Sequence, residues 1–257
     1  EEVLKDFTKE HKDELNKITK STVALGQYSN VNHAKAILAM LFMQTGDPII
    51  SEKNGIFNST LGENIGRRSL GAVLKFYTDF ADSLTNVYSW NRSLPSSSDA
   101  FSKEDLAFYF GFASELPSLV NKNPNQNFLI APMPQIKNAT SKITFANVTG
   151  IAISAFSKNF NTAYIAASLM SSGEFASQFA KTFNIAPARR DLLLQKPNDA
   201  YSPIFYNSAL YARSWLDPSP QGSNEIFRGM IDKVLSNSES PDNIVSDASA
   251  KLDLLLR

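Results

Sequence analysis

Apolar residues recur at helical spacing from the start of the chain. Val3, Leu4, Phe7, Leu15 and Ile18 are separated by charged residues, which predicts an amphipathic helix over the first twenty positions. STVALGQY then reads as a short buried strand ending at Gly26. SNVNHAKAILAMLFMQTG reads as a helix, capped by Ser29 or Asn30 and ended by Gly46. DPIISEKNGIFNST predicts a hairpin turning at Asn54-Gly55, a pair suited to positive φ. A second long helix is expected from Ser69 to Leu84, with Phe76, Phe80 and Leu84 on one face.

The Ser- and Pro-rich stretch NRSLPSSSDAF reads as loop, and LAFYFGF as an apolar strand closing on Gly111. A helix from Ala113 to Val120 requires Pro117 in its first turn. Residues 121–127, NKNPNQN, read as a polar linker. NFLIAPMPQ predicts a strand stopped by Pro132 and Pro134, and ITFANVTGIAIS a hydrophobic strand kinked at Thr149-Gly150. Four helices are expected beyond it, in SKNFNTAYIAASLMSS, GEFASQFAKTFN, SNEIFRGMIDKVLSN and PDNIVSDASAKLDLLL, with IAPARRDLL as a turn between the inner and outer pairs. Strands alternating with helices define an α/β chain, and no internal repeat is visible.

Composition narrows the chemistry. The 257 residues carry 25 Lys plus Arg against 25 Asp plus Glu, a net charge of zero, which is not the footprint of a general nucleic-acid binder. There is no cysteine, so disulfides, thiolate metal sites and cysteine nucleophiles are excluded. His11 and His33 are the sole histidines, too few for a three-histidine zinc site, and HExxH is absent. GxSxG, GxxxxGK[ST] and the EF-hand loop are likewise missing. Asp79, Asp82, Glu104, Asp105 and Glu115 are available as acids, but nothing in the sequence pairs them as a glycosidase requires. The densest apolar run, Ala36 to Met43, is far shorter than the ~18 residues of a membrane span. The chain opens on Glu1 rather than Met, which reads as the start of a processed, trimmed or partial chain. Asn58, Asn91, Asn138 and Asn147 begin Asn-x-Ser/Thr sequons, relevant only in a secreting eukaryote.

Four stretches carry a family resemblance: VALGQYSNVNHAKAILAMLFMQTGD, AFSKEDLAFYFGFASELPSL, NFLIAPMPQ with ITFANVTGIAISAFSKNFNTAYIAASLMSS, and FAKTFNIAPARRDLL. In this order they resemble the second half of a family 1 extracellular solute-binding protein, the substrate-capturing subunit of ABC importers, with a maltose-binding-protein-like architecture. The resemblance covers essentially the whole chain. It implies a two-lobed periplasmic-binding-protein-like (type II) α/β fold with the N-terminal lobe incomplete. Residues 1–124 and 186–257 would form the C-terminal-type lobe and 125–185 part of the N-terminal-type lobe.

The same resemblance implies capture of a carbohydrate in the interlobe cleft and delivery to ABC permease subunits. It also implies a monomer held outside the cytoplasmic membrane, periplasmic or as a lipoprotein, with no cofactor, no metal, no nucleic-acid partner and no enzymatic activity. A peptide or polyol binder is the alternative, followed by a glycoside-processing enzyme; a scaffold on the same fold is a third class.

Sugars need planar polar groups for their hydroxyls and aromatic faces for their C–H surfaces. Loops after strands are the expected ligand positions. Tyr28, Asn30, Asn32 and His33 follow the first strand, competing with a helix-capping role for the asparagines. Phe112, Ser114 and Glu115 follow LAFYFG, with a buried ring and an N-cap as the structural alternative; family members commonly carry Trp where this chain has Ala113-Ser114. Asn147 and Thr149 are expected inside the kinked strand, as ligand contacts or as a bulge or solvent-facing edge. Trp215 offers a ring for stacking or an interhelical plug, and Asn224 a ligand contact or an N-cap. Trp90 reads as structural, and Arg189 and Arg190 as fixing the turn.

Overall fold

The computed structural model describes residues 6, 18–63, 69–137, 139, 141–195 and 197–257. The expected opening helix lies almost wholly outside these residues. The order begins β1 (Ser21–Val23), α1 (Ala34–Gln44), β2 (Ile50–Lys53), β3 (Ile56–Ser59), α2 (Leu70–Asp79), α3 (Ser97–Ser102) and β4 (Leu106–Phe108). A 3₁₀ turn at Ala113–Glu115 leads into α4 (Leu116–Lys122), then β5 (Thr144–Phe145), α5 (Phe160–Met170), α6 (Gly173–Phe183) and α7 (Arg190–Leu193). The chain closes with α8 (Ser202–Ala209), β6 (Ala212–Arg213), α9 (Pro220–Leu235) and α10 (Pro241–Leu255). β1 pairs with β4 and β5 with β6, both parallel, while β2 and β3 form an antiparallel hairpin. The hairpin turns as expected on Asn54 (φ 55°) and Gly55 (φ 80°).

Burial follows the apolar stripes. α1 is apolar on nearly every side and correspondingly buries Ile37, Leu38, Ala39, Met40, Phe42 and Met43. Gly46 turns out of it at φ 102°. Its N-cap differs from expectation: it is His33, in the left-handed region at φ 60°, with no side-chain cap bond. Asn30 lies upstream, bonded elsewhere.

Ser69 caps α2 by accepting from Ala72 N–H. The buried face of α2 is Leu70, Val73, Leu74 and Tyr77, not the one expected. The helix stops at Asp79, so Leu84 falls beyond it and is 92% exposed; Phe76 points outward, and of the expected trio Phe80 alone is buried. The Ser-rich stretch read as loop becomes helical from Ser97, because Ser96 caps it on Asp99 N–H. α4 carries Pro117 in its first turn, as expected. α9 is capped by Ser219, which puts Asn224 inside the helix rather than at its start.

One core joins residues 23–119 to Trp215, α9 and α10, including Leu38, Phe42, Leu74, Tyr77, Phe227 and Leu252. Fully burying a side chain of this size stabilises by about 1.5–3 kcal/mol. The glycine at 26 is required by the turn after β1: its φ is 88° and an added Cβ would stand 2.6 Å from Ala81 Cβ.

The middle of the chain differs. NFLIAPMPQ forms no strand, and of ITFANVTGIAIS only Thr144–Phe145 pairs. Asn147 and Thr149 therefore stand in irregular, exposed chain rather than in a strand interior. Between residues 120 and 214, Thr144, Ala180 and Pro187 alone are buried among the described residues. α8 arises where no helix was expected, with Pro203 in its first turn.

Candidate functional site

β1 and β4 run parallel, so their carboxyl ends share one edge, where open α/β sheets hold ligands. The chain leaving β1 contributes Tyr28 and, on the threshold of α1, His33 and Lys35; the chain leaving β4 contributes Tyr109, Phe112 and Glu115.

These residues form two linked clusters. In the first, His33 Nε2 contacts Glu115 Oε2 at 2.9 Å, and its ring meets Phe112 edge-on at 4.7 Å. Glu115 also accepts from Tyr109 Oη (2.9 Å) and the Phe112 backbone N–H (2.7 Å). Burial pushes the Glu115 carboxyl up, but His33, the Phe112 amide and the Tyr109 hydroxyl together outweigh it and hold the group below the usual carboxylate range. Burial first, and then the Glu115 charge, raise the Tyr109 phenol. Phe145, from β5, brings its ring to 6.1 Å from Phe112.

The second cluster flanks α1 on the α9 side. Tyr28 donates its hydroxyl to Asn224 Oδ1 at 3.0 Å, and the Arg228 guanidinium lies 5.2 Å from the Tyr28 ring centre. Burial raises the Tyr28 phenol; Arg228 works against that and Asp217 adds to it. Lys35 Nζ donates to Asp217 Oδ2 at 2.7 Å and to Ser223 Oγ at 2.9 Å. The same ammonium lies 6.0 Å from the Trp215 ring.

Of the residues expected from sequence, the structure brings Tyr28 to Asn224 and His33 to Phe112, while Ser114 is exposed on the 3₁₀ turn. Two asparagines are spoken for by the fold. Asn30 donates to the carbonyls of Asn91 and Leu94, each at 2.9 Å, and accepts from Trp90 Nε1 at 3.0 Å. Asn32 Oδ1 accepts from Ser97 Oγ and Ser98 N–H, tying down the start of α3. Trp215 is 9% exposed and stacks on Phe227 at 5.8 Å, so it acts as a plug against α9 rather than as an open platform. Arg189 fixes its turn, pairing with Asp191 and donating to the Ser171 carbonyl.

Sequence reasoning grouped Glu115 with Phe112 and Ser114 but did not select Lys35, Tyr109, Phe145, Asp217 or Arg228. Lys35 had a visible signal, two residues past His33 on the same first turn. Asn224 and Arg228 had one too, at i and i+4 on one helix face. The pairings of Asp217 and Phe145 arise from contacts remote in sequence. Among the described residues no group of three metal-ligating side chains is present, and no helix is long and apolar enough to cross a membrane.

No protein-family model matches this chain, and no curated protein matches it. Solved structures do. An ABC-transporter solute-binding protein from Thermotoga lettingae, bound with α-D-tagatose, matches with TM-score 0.64 at 17% identity, over 100% of this chain and 64% of its own. A cyclo/maltodextrin-binding protein complexed with maltotetraose gives 0.69 at 17% identity, over 91% and 58%. A maltose/maltodextrin-binding domain from Bdellovibrio bacteriovorus, bound to maltotriose, gives 0.68 at 14% identity, over 99% and 65%. The fold is therefore that of the two-lobed, periplasmic-binding-protein-like α/β proteins, and the three matched proteins are solute- or maltodextrin-binding proteins. This chain spans less than two thirds of the length of each of these three.

Proposed function

We propose that this chain belongs to the substrate-binding subunit of an ABC importer and captures a carbohydrate at the loop edge of β1 and β4. The observation that carries the reading is the meeting there of aromatic rings with hydrogen-bonding side chains, both charged and neutral, on a fold whose solved examples hold tagatose, maltotetraose and maltotriose. Tyr28, His33, Phe112, Ser114 and Asn224 form the contact set on this side of the cleft. Asn147 and Thr149 face it from residues 125–185, the part that belongs to the other lobe; residues 1–124 and 186–257 form the first lobe. Phe145, reaching the Phe112 ring from β5, supports that arrangement. Asn30, Asn32 and Trp215 shape the loops without touching ligand.

The protein binds without chemistry. Glu115 is engaged by His33, Tyr109 and the Phe112 amide, and Asp217 by Lys35 and Ser223, which suits carboxylates that hold the loops in place. Sugar binding closes the lobes because the closed form holds it more tightly, and the closed monomer docks on the permease outside the cytoplasmic membrane, free or as a lipoprotein.

The test is a thermal-shift and calorimetric screen with tagatose, maltotriose, maltotetraose and stachyose. One of them raises the melting midpoint in a concentration-dependent way. No shift with any, or release of aryl alcohol from an aryl glycoside, overturns the reading.

A further inference from the structure

The face of α9 that meets the loop after β1 is anchored at two points. Tyr28 donates its hydroxyl to Asn224 Oδ1. One residue earlier in the loop, Gln27 Oε1 accepts from Arg92 Nε at 3.0 Å, and Arg92 Nη2 donates to Asp232 Oδ1 at 2.6 Å. Asn224, Arg228 and Asp232 recur every fourth residue, so they share this face. Arg228 stands between the two anchors, one helical turn from each, with its guanidinium 5.2 Å from the Tyr28 ring centre.

Its charge is not neutralised there. Asp232 is engaged by Arg92, and Asp217 by Lys35 and Ser223. Glu225, three residues before Arg228, lines the groove against α10 with Lys233 and Asp247 instead. Among the described residues, no carboxylate pairs with Arg228 and nothing accepts a hydrogen bond from it. Asn224 spends its carbonyl oxygen on Tyr28, and its amide nitrogen has no acceptor among the described residues. This corner of the site therefore offers a cation and a surplus of N–H donors.

A sugar hydroxyl gives a hydrogen bond as well as taking one, so a donor surplus suits it poorly. A carboxylate only accepts, carries the opposite charge and matches the planar guanidinium fork. A phosphate monoester, with a charge of about −1.5 to −2 at neutral pH, exceeds what one unpaired arginine balances beside Asp217 and Asp232. We propose that the saccharide captured at this edge carries a carboxylate, as in a uronic or aldonic acid, and that Arg228 and the Asn224 amide receive it while Tyr28 meets the sugar ring. The inference deepens the carbohydrate reading and rests on it.

The experiment is calorimetry with matched ligands. The neutral sugar that gives the largest thermal shift among tagatose, maltotriose, maltotetraose and stachyose is compared with two derivatives. One has a primary hydroxyl oxidised to a carboxylate, and the other has the same hydroxyl phosphorylated. A carboxylated form binds about tenfold or more tightly than the neutral sugar. In Arg228→Gln that ratio falls to about one, and Arg228→Lys, which keeps the charge but loses the fork, holds an intermediate value. The wild-type ratio also shrinks as ionic strength rises from about 0.05 to about 0.5 M, which reads the charge without any substitution. Carboxylated forms that bind no tighter than the neutral sugar overturn the proposal and leave the carbohydrate reading standing. A ratio that survives in Arg228→Gln, or a phosphorylated form that binds tightest, overturns it as well. No binding of any form sinks both.

Discussion

Asn30 accepts the indole N–H of Trp90 at 3.0 Å, and Trp90 is fully buried. The loop after β1 is thereby stitched to the segment that follows α2, and both amide protons of Asn30 are used on carbonyls of that segment. Asn30→Ala leaves a buried indole donor and two carbonyls unsatisfied. The expected cost is about 2–4 kcal/mol, read as a lowered urea midpoint. If the variant unfolds at the wild-type midpoint, Asn30 is free for ligand after all.

Two glycines stand where side chains have no room. Gly26 has φ 88° and its Cβ would meet Ala81 N at 2.7 Å; a Cβ on Gly71 would meet Asp242 N at 2.7 Å, where α2 packs on the start of α10. Gly26→Ala adds backbone strain to the clash, so it should cost more than Gly71→Ala, with both above about 2 kcal/mol by chemical denaturation. Equal, negligible losses would show that the helices part easily.

Glu115 sets a pH dependence whose sign is fixed. Its folded carboxyl is held below the usual range, so its contribution to stability is fully present above the unfolded carboxyl's titration. That contribution is lost as pH falls through the depressed folded value. Glu115→Gln should therefore flatten part of the acid limb of the stability curve and leave the neutral-to-alkaline side with the same slope. An acid limb of unchanged steepness in the variant contradicts the assignment.

Phe112 touches both His33 and Phe145, and it is the ring shared by the β4 loop and the middle segment. Phe112→Ala should weaken sugar affinity by about ten- to a hundredfold by calorimetry. Ser114→Ala, at the neighbouring exposed position, should change it by less than about threefold. The reverse ranking would move the site away from the aromatic cluster.

How much of this was readable beforehand depended on whether a signal was local. The hairpin at Asn54-Gly55, the turn at Gly46 and Pro117 in a first turn are short-range stereochemistry, and all three stand in the structure. The long apolar helices α1, α2, α5, α6, α9 and α10 were legible for the same reason, whereas the short α3, α7 and α8 were not. Faces and caps were not. Phe76 and Leu84 suit a stripe, but where α2 stops and what packs on it decide which residues are covered, and those are long-range facts. The asparagines after β1 were legible as polar loop residues, but their partners lie about sixty residues later, so their structural duty was hidden. The strand patterns at 128–135 and 143–154 failed for another reason: a strand is defined by its neighbour, and across most of both runs no neighbour is present among the described residues.

The hairpin is fastened from far away: Ser59 N–H donates to Asp253 Oδ1 across 194 positions of chain. The core begun at Val23 is closed by Phe227, Ile244 and Leu252. During synthesis, then, the early residues leave the ribosome long before the helices that shelter them, and the exposed α5 and α6 emerge in between. The apolar residues after Val23 therefore stay uncovered until α9 and α10 have been made, so this core is one of high contact order.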